Sequence, residues 1–273
     1  MLPTARSILH YPTTPSFRAD TQAWLDVATG SYITAERQAL DALLGGFATD
    51  GILSFDRLWL LQFGDNEADS LRCIVSLQSA TSSGATPPVF TRRQGWRGNT
   101  TTGFINTNWA PSTGVNFTIN NASFGCYLRE NSTATNTFRT LMGCVNASNA
   151  NNTIISVQSN NVDTGFRLNL TGALNQISST VVPAAGSYSS ISRASSSEMI
   201  GRRDSTELGI ASTSSGRCTV SMYLLARNSN GTRDGQANHQ MSMAHAGAAQ
   251  TTAQNASFRS RVDTFNTAIG YVP

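Results

Sequence analysis

The chain has 273 residues, all 19 of its basic residues are arginine, and its formal net charge is +3. Because 39% of the residues are hydrophobic and 13% are charged, the composition argues against a disordered chain, which combines few apolar residues with high net charge. The arginines are scattered, so the sequence predicts no nucleic-acid partner. It also lacks a run of about 18 apolar residues, so it predicts no membrane partner.

The first 72 residues predict two different segments. Pro12 and Pro15 favour extended backbone, so we expect residues 1–32 to form an extended N-terminal arm that anchors the protein to a neighbour. Residues 33–72 predict a short helical segment packed on the main domain. Its apolar side chains fall on one helical face: Ile33, Leu40, Leu43, Leu44 and Phe47.

Residues 73–273 predict a mainly β domain. The segments "SFGCYLREN", "FRLNL" and "RCTVSMYLL" alternate apolar and polar residues, which is typical of strands with one buried face in a two-sheet sandwich. The alternating apolar residues are Phe124, Cys126 and Leu128, then Phe166, Leu168 and Leu170, then Cys218, Val220, Met222 and Leu224. The domain closes with a predicted helix over residues 252–269, for which Thr251 and Gln254 form a capping box.

The sequence contains no recognisable catalytic pattern. A nucleophile needs a histidine base, but His239 and His245 share a predicted strand face with methionines and suit a packed position. A glycosidase needs two neighbouring carboxylates, and the predicted strands are poor in acids. In "SSSEMIGRRDSTE" we expect Arg202 and Arg203 to neutralise the nearby acids, which are Glu198, Asp204 and Glu207. The protein is therefore expected not to be an enzyme.

The four cysteines lack the CxxC spacing of a zinc site, so no metal and no cofactor are expected. Two interpretations of Cys126 and Cys144 stay open. They face each other across a hairpin, or they are small buried side chains.

The segment "PPVFTRRQGWRGNTTTGFINTNW", residues 87–109, combines aromatic, guanidinium and amide groups. It predicts two strands joined by a turn at "RRQGWRGN". Sugar binding requires an aromatic face with planar polar groups, and the segment offers both. The candidate glycan-binding residues are Trp96, Arg97, Asn99, Asn108 and Trp109. The alternative is that the two tryptophans cover an edge of the sandwich.

Several segments in a shared order resemble a lectin-like module of tailed phages and prophages. "FDRLWLLQF" is similar to the module's apolar entry, Phe90 to Gly98 to its "FT-x-x-x-G-aromatic-x-G" stretch, and "GFINT" to the strand that follows. "SISRASSSEMIGRRDSTELG", "YLLARNSNGT" and "MSMAHAGAAQTTAQNASFRSRVDTFNTAIG" then follow in the module's order. The resemblance spans roughly residues 33–270. It implies a concanavalin-A-like (LamG-like) jelly-roll β-sandwich.

The resemblance also implies a function. We expect a non-enzymatic virion protein of a phage or gene transfer agent, made in the bacterial cytoplasm and located in a head spike, tail fibre or tail tip. Its expected partners are host surface polysaccharide, other virion proteins held through the arm, and further copies of itself. The alternatives are a purely architectural adaptor or capsid decoration protein and, third, a capsule depolymerase.

Overall fold

The computed structural model describes residues 16–130, 138–158, 163–171, 175–178 and 186–271. The helices are α1 (Ala19–Val27), α2 (Thr34–Thr49), α3 (Glu67–Ser70) and α4 (Thr252–Ala268). The strands up to residue 130 are β1 (Phe55–Trp59), β2 (Thr81–Ser83), β3 (Val89–Thr91), β4 (Gly95–Arg97), β5 (Phe104–Asn106) and β6 (Ala122–Glu130). Next come β7 (Arg139–Val145), β8 (Asn152–Gln158), β9 (Asp163–Leu170), β10 (Asn175–Ser178), β11 (Ser187–Arg193) and β12 (Glu198–Arg203). The last are β13 (Thr206–Ala211), β14 (Tyr223–Leu224), β15 (Arg227–Ser229), β16 (Thr232–Asp234) and β17 (Gln240–Gly247).

The strands form two sheets. The first sheet has the order β13-β12-β11-β6-β17-β4-β3, and β1 also pairs with β17. The second has the order β10-β9-β8-β7-β14-β5-β2, and β15 pairs with both β7 and β16. The described pairings are antiparallel except that of β15 with β7. The fold is therefore mainly β, with two sheets and few helices, and the fold-class prediction is confirmed.

One hydrophobic core lies between the two sheets. Phe124 and Cys126 of β6 belong to it on one side, and Phe166 and Leu168 of β9 on the other. These are inward positions of the predicted alternation, and the four side chains are fully buried. Burial of alternate positions from both sheets is what joins them into a sandwich.

A second core covers the other face of the first sheet. Tyr127, Tyr188 and Met243 point away from the sandwich core and pack with residues of α1, α2 and α4. Phe258 of α4 stacks on Phe47 of α2, with ring centroids 4.9 Å apart. Because helices cover this face, the central strands of the first sheet are buried on both sides, and the molecule has three layers.

The N-terminal segment differs from the extended arm expected over residues 1–32. Residues 1–15 lie outside the described residues, but residues 19–27 form α1. Trp24 of α1 is 1% exposed and packs against Tyr32 and Phe63, with both ring centroids 5.3 Å away. The described part of the segment is thus a piece of the second core.

The next expected segment, residues 33–72, is not wholly helical, because it contains β1, a strand of the first sheet. The division into 1–32, 33–72 and 73–273 stays a prediction.

Two strand predictions are corrected by the structure. Trp96 lies in β4, so the expected turn at "RRQGWRGN" shrinks to the residues between β3 and β4. In "RCTVSMYLL" only Tyr223–Leu224 pairs as a strand, although Cys218 and Met222 still reach the sandwich core. Apolar spacing predicts burial there, but the backbone before Tyr223 is irregular, and Met222 forms its backbone hydrogen bonds with Thr107 and Trp109 outside any strand.

The four cysteines are buried and free. Cys126 and Cys144 belong to different sheets, so they do not face each other across a hairpin. Cys144 instead shares a hydrogen bond with Cys218, whose thiol also donates to Oδ1 of Asn146 at 3.2 Å. Burial raises the pKa of the Cys144 thiol, so it stays protonated.

Candidate functional site

The two tryptophans of the predicted glycan site lie inside the sandwich. Trp96 is 1% exposed, and its Nε1 donates to Oγ of Ser70 at 2.8 Å. Trp109 is 2% exposed and meets Phe117 edge to face, with ring centroids 5.6 Å apart. Neither ring has a free face on which a sugar could stack. The structure therefore contradicts glycan stacking on Trp96 and Trp109.

The three polar residues of the predicted site brace the surrounding loops. Arg97 forms an ion pair with Glu130. Oδ1 of Asn99 accepts hydrogen bonds of 2.9 to 3.1 Å from three backbone N–H groups of its own loop. Nδ2 of Asn108 donates to the backbone oxygen of Ser79 at 3.1 Å. None of these three side chains lines the cleft described next.

A cleft of about 750 Å³ lies between α4 and the hairpin that joins β12 to β13. The apolar face of α4 is held by the second core through Phe258 and Val262. That packing turns Thr252, Asn255 and Arg259 towards the cleft. A capping box at Thr251 begins the helix, so the first turn of the cleft wall is fixed by hydrogen bonds from backbone N–H groups to the side chains of Thr251 and Gln254.

The open side of the cleft is built from one arginine and two aspartates. Nη2 of Arg259 lies 3.3 Å from Oδ1 of Asp204, and its Nε lies 3.8 Å from Oδ2 of Asp263. Asp204 stands at the hairpin turn with φ of 53°, a left-handed conformation that aspartate tolerates better than most residues. The backbone N–H of Asp204 donates to the backbone oxygen of Tyr188 at 2.8 Å, and its Oδ1 accepts from the backbone N–H of Tyr188 at 3.0 Å. Asp263 accepts a 2.7 Å hydrogen bond from the hydroxyl of Tyr127.

A buried arginine lies behind the cleft and is bonded to two of the residues that line it. Arg202 is 1% exposed; its Nε donates to Oε1 of Glu207 at 2.6 Å, and its Nη2 donates to Oγ1 of Thr252 at 3.3 Å. The Thr252 hydroxyl donates in turn to Oε2 of Glu207 at 3.1 Å. The hydrogen bond from Arg202 lowers the pKa of Glu207, so this carboxylate stays ionised at neutral pH.

A neutral polar network lies behind the cleft. Nδ2 of Asn255 donates to Oγ of Ser190 at 2.8 Å, and the Tyr188 hydroxyl lies 2.7 Å from Nε2 of His245. Burial raises the pKa of Tyr188 and lowers that of His245 to about 3, so both groups are uncharged at neutral pH. The network orients Asn255 without adding charge to the cleft.

The lining determines which ligands the cleft suits. Of its residues, Ala256 is the one without a polar side chain, so an apolar ligand would strand polar groups without partners. Its volume falls within the roughly 300–1,000 Å³ that is usual for small-ligand sites. Ionised carboxylates accept hydrogen bonds from hydroxyl groups, and guanidinium groups donate to hydroxyl oxygens. The cleft therefore suits a small ligand that carries many hydroxyl groups.

Another depression, of about 390 Å³, lies on the second sheet. It contains the stacked rings of Phe104 and Tyr223, whose centroids are 4.4 Å apart, together with Arg233. Tyr223 is only 8% exposed because Phe104 covers it. The pair therefore offers little ring surface for stacking a sugar.

The sequence predicts part of the cleft. Neutralisation of Glu207 by Arg202 is confirmed. Arg259 and Asp263 are not predicted, because only the packing of α4 brings them to a hairpin more than 50 residues earlier in the chain. The available signal was the helix itself, since Thr252, Asn255, Arg259 and Asp263 share its polar face at helical spacing.

Comparisons with known proteins identify the fold. No protein-family model matches the chain, and no curated protein matches it. Among solved structures, it is similar to a mutant of Trypanosoma rangeli sialidase that displays trans-sialidase activity, with a TM-score of 0.55 and 9% identity over 85% of this chain and 40% of that one. It is also similar to T. rangeli sialidase in complex with sialic acid, with a TM-score of 0.52 and 8% identity over 83% of this chain and 39% of that one. The chain thus spans about two fifths of the length of these two sialidases.

These matches correct the expected function. The two solved structures described above are sialidases, so the prediction of a non-enzymatic virion protein is wrong, as is its statement that the protein is not an enzyme. The matches give no support to a phage origin. What they show is a lectin-like β-sandwich of the kind found in sialidases.

Proposed function

We propose that this protein binds carbohydrate in the cleft between α4 and the β12–β13 hairpin. The observation that carries the proposal is the cleft's polar wall, in which Asp204, Arg259 and Asp263 lie side by side. Sugar hydroxyls need closely spaced donors and acceptors, and charged groups form roughly twice as strong a hydrogen bond as neutral ones. The lectin-like fold supports the same class of ligand.

The rigidity of the wall supports binding as well. Asp204 and Asp263 are each held by a second hydrogen bond, from the Tyr188 backbone and from the Tyr127 hydroxyl. Side chains fixed in this way lose little conformational freedom when a ligand arrives, which lowers the entropic cost of binding.

A second candidate function is glycoside processing, which is favoured by the three carboxylates in one cleft. Most glycosidases use two carboxyl groups, one of which acts as an acid and needs a raised pKa, whereas sialidases use a tyrosine as the nucleophile. The lowered pKa of Glu207 suits a carboxylate that stays ionised, and so it does not suit the acid. Any acid of such a reaction would have to be Asp204 or Asp263. Binding therefore stands as the first proposal.

The experiment is a glycan array with the purified protein, followed by calorimetry on the best ligands. We expect Arg259→Gln to weaken binding by roughly tenfold or more, because one charged hydrogen-bond donor contributes about 1.5–3 kcal/mol. Arg233→Gln is the matched control, since Arg233 is an exposed arginine of β16, in the other sheet. Release of reducing sugar is measured in parallel to test for glycoside processing.

Two outcomes would count against the proposal. One is a folded protein that binds no carbohydrate on the array. The other is binding that Arg259→Gln leaves intact and Arg233→Gln removes, which would move the site to the second sheet.

A further inference from the structure

The cleft has a neighbour on the same face of the first sheet. A depression of about 490 Å³ is lined by Ala194, Glu198 and Ile200, and it reaches Thr252, which also lines the cleft. Ile200 and Arg202 are two residues apart on β12, so their side chains point to the same face of the sheet. The cleft and the depression therefore adjoin at Thr252, in the first turn of α4, and the two together are called the groove below.

Thr252 forms the junction of the two parts. Arg202 lies beneath it, bonded to Glu207 on the cleft side and to Thr252 at the junction. Its third nitrogen, Nη1, is buried and has no hydrogen-bond partner in the described part of the chain. An unpaired buried guanidinium N–H is costly, so the positive charge of Arg202 stays partly uncompensated beneath Thr252, where it attracts the oxygen of a nearby hydroxyl group.

The charges of the groove favour one class of ligand. Four carboxylates line it, namely Asp204, Glu207 and Asp263 in the cleft and Glu198 in the depression. Arg259 lines the cleft and pairs with Asp204, and the buried Arg202 behind the wall pairs with Glu207, so the six groups together carry a formal charge of −2. Both guanidinium groups are already paired with carboxylates, so an acidic sugar would meet net repulsion.

We propose that the groove takes a chain of several neutral or amine-bearing sugar units, and not a single acidic sugar. The inference rests on the proposed carbohydrate binding and deepens it. One unit would occupy the cleft, and the units that follow would cross Thr252 into the depression beside Ala194. A neutral sugar satisfies the carboxylates through its hydroxyl groups, and an amine adds attraction to them.

Chain length is tested first. Malto-, cello- and chito-oligosaccharides of one to six units are titrated into the wild-type protein, and we expect the affinity for one series to rise roughly tenfold or more between the monosaccharide and a trisaccharide or tetrasaccharide. Ala194→Trp fills the depression from an exposed position without touching the cleft. It should remove this gain and leave the monosaccharide affinity unchanged. Val115→Trp, at a position 83% exposed and outside the groove, is the matched control.

Ligand charge is tested in the same assay. Chito-oligosaccharides are compared with their deacetylated, cationic forms and with α2,8-linked sialic acid oligomers of equal length. We expect neutral or cationic chains to bind and the anionic chains to bind at least about tenfold more weakly.

The outcomes separate this inference from the proposed function. Affinity that is independent of chain length, insensitivity of the long chains to Ala194→Trp, or preference for sialic acid oligomers would each overturn the inference while leaving carbohydrate binding in place. Failure of every saccharide to bind the folded protein would overturn both.

Discussion

Glu207 affects both the stability of the fold, through its ion pair with Arg202, and the charge of the cleft, which it lines. In the part of the chain that the structure describes, its carboxylate is the one that pairs with Arg202, which is 1% exposed. Glu207 itself is about a third exposed, so water screens part of the attraction. Without that carboxylate, a buried guanidinium would face the cleft without its counter-charge. The pair therefore links folding to protonation.

We expect Glu207→Gln to lower the free energy of unfolding at neutral pH by about 1 kcal/mol or less, after allowance for screening. The pKa of Glu207 is lowered in the folded protein, so its stabilising effect is complete above the unfolded value of about 4.3 and is lost as the pH falls through the folded pKa. The difference between wild type and variant should therefore narrow as the pH falls below about 4.3. Urea unfolding of both proteins at a series of pH values measures this difference in the free energy of unfolding. A difference that stays constant with pH would contradict the assigned role of the pair.

The tryptophans show what residue types alone do not determine. A stretch with Trp96, Arg97 and Asn99 has the chemistry of a sugar site, but chemistry does not say which face of a strand is covered. Trp96 faces the sandwich core, and its one polar atom is satisfied by Ser70. Ser70 lies in a different segment, so no local pattern predicts that hydrogen bond. The polar wall of the cleft was not predictable for the same reason, because its residues come from segments that are distant in the sequence.

At the scale of elements, α4 both packs into the second core and forms one wall of the cleft. Its apolar face packs Phe258, Val262 and Phe265 into the second core, and its opposite face forms the cleft. Both its apolar spacing and its capping box are readable in the sequence, so the helix was predictable within one residue of its observed end. α1 was not, because Trp24 is its one large buried side chain and gives no periodic pattern.

The cap of α4 gives a prediction at this scale. Oγ1 of Thr251 accepts from the backbone N–H of Gln254 at 3.2 Å, and the Gln254 side chain accepts from the backbone N–H of Thr251 at 3.0 Å. We expect Thr251→Ala to lower the free energy of unfolding by about 1 kcal/mol, since an N-cap hydroxyl is lost. Thr264→Ala is the matched control, because its hydroxyl bonds only within the helix, to the Ser260 backbone oxygen.

Chemical denaturation of the two variants tests the cap. Alanine is the better helix former, so Thr264→Ala should be neutral or slightly stabilising. Equal losses in both variants would show that losing any threonine hydroxyl of α4, and not the cap in particular, lowers the stability.

At the scale of the whole molecule, the position of the groove follows from the layers. The helices cover the central strands of the first sheet, where Tyr127 and Tyr188 are buried. The described helices leave part of the outer strands β12 and β13 uncovered. The sheet face is therefore accessible beside α4, where the groove lies. The alternation in single strands predicts the sandwich, but the order of strands and the helical layer depend on contacts between distant segments.

The N-terminal segment gives the last prediction. Asp69 accepts hydrogen bonds from the backbone N–H groups of Thr29 at 2.9 Å and Gly30 at 2.7 Å, and Trp24 fills the space beside Phe63. Removal of residues 1–32 would leave Asp69 without these donors and open a cavity of tryptophan size in the second core. Losing a buried tryptophan alone costs about 3–5 kcal/mol, so the shortened protein should melt at a much lower temperature.

Thermal unfolding of two shortened chains isolates the contribution of residues 16–32. One lacks residues 1–15 and the other lacks 1–32, so the difference between their melting temperatures belongs to the described segment alone. A detachable tether would give equal melting temperatures. A large difference would mean that the helical layer is complete only with α1, because Trp24 closes the core against which α2 and α4 pack. The groove would then depend on this segment indirectly, through the position of α4.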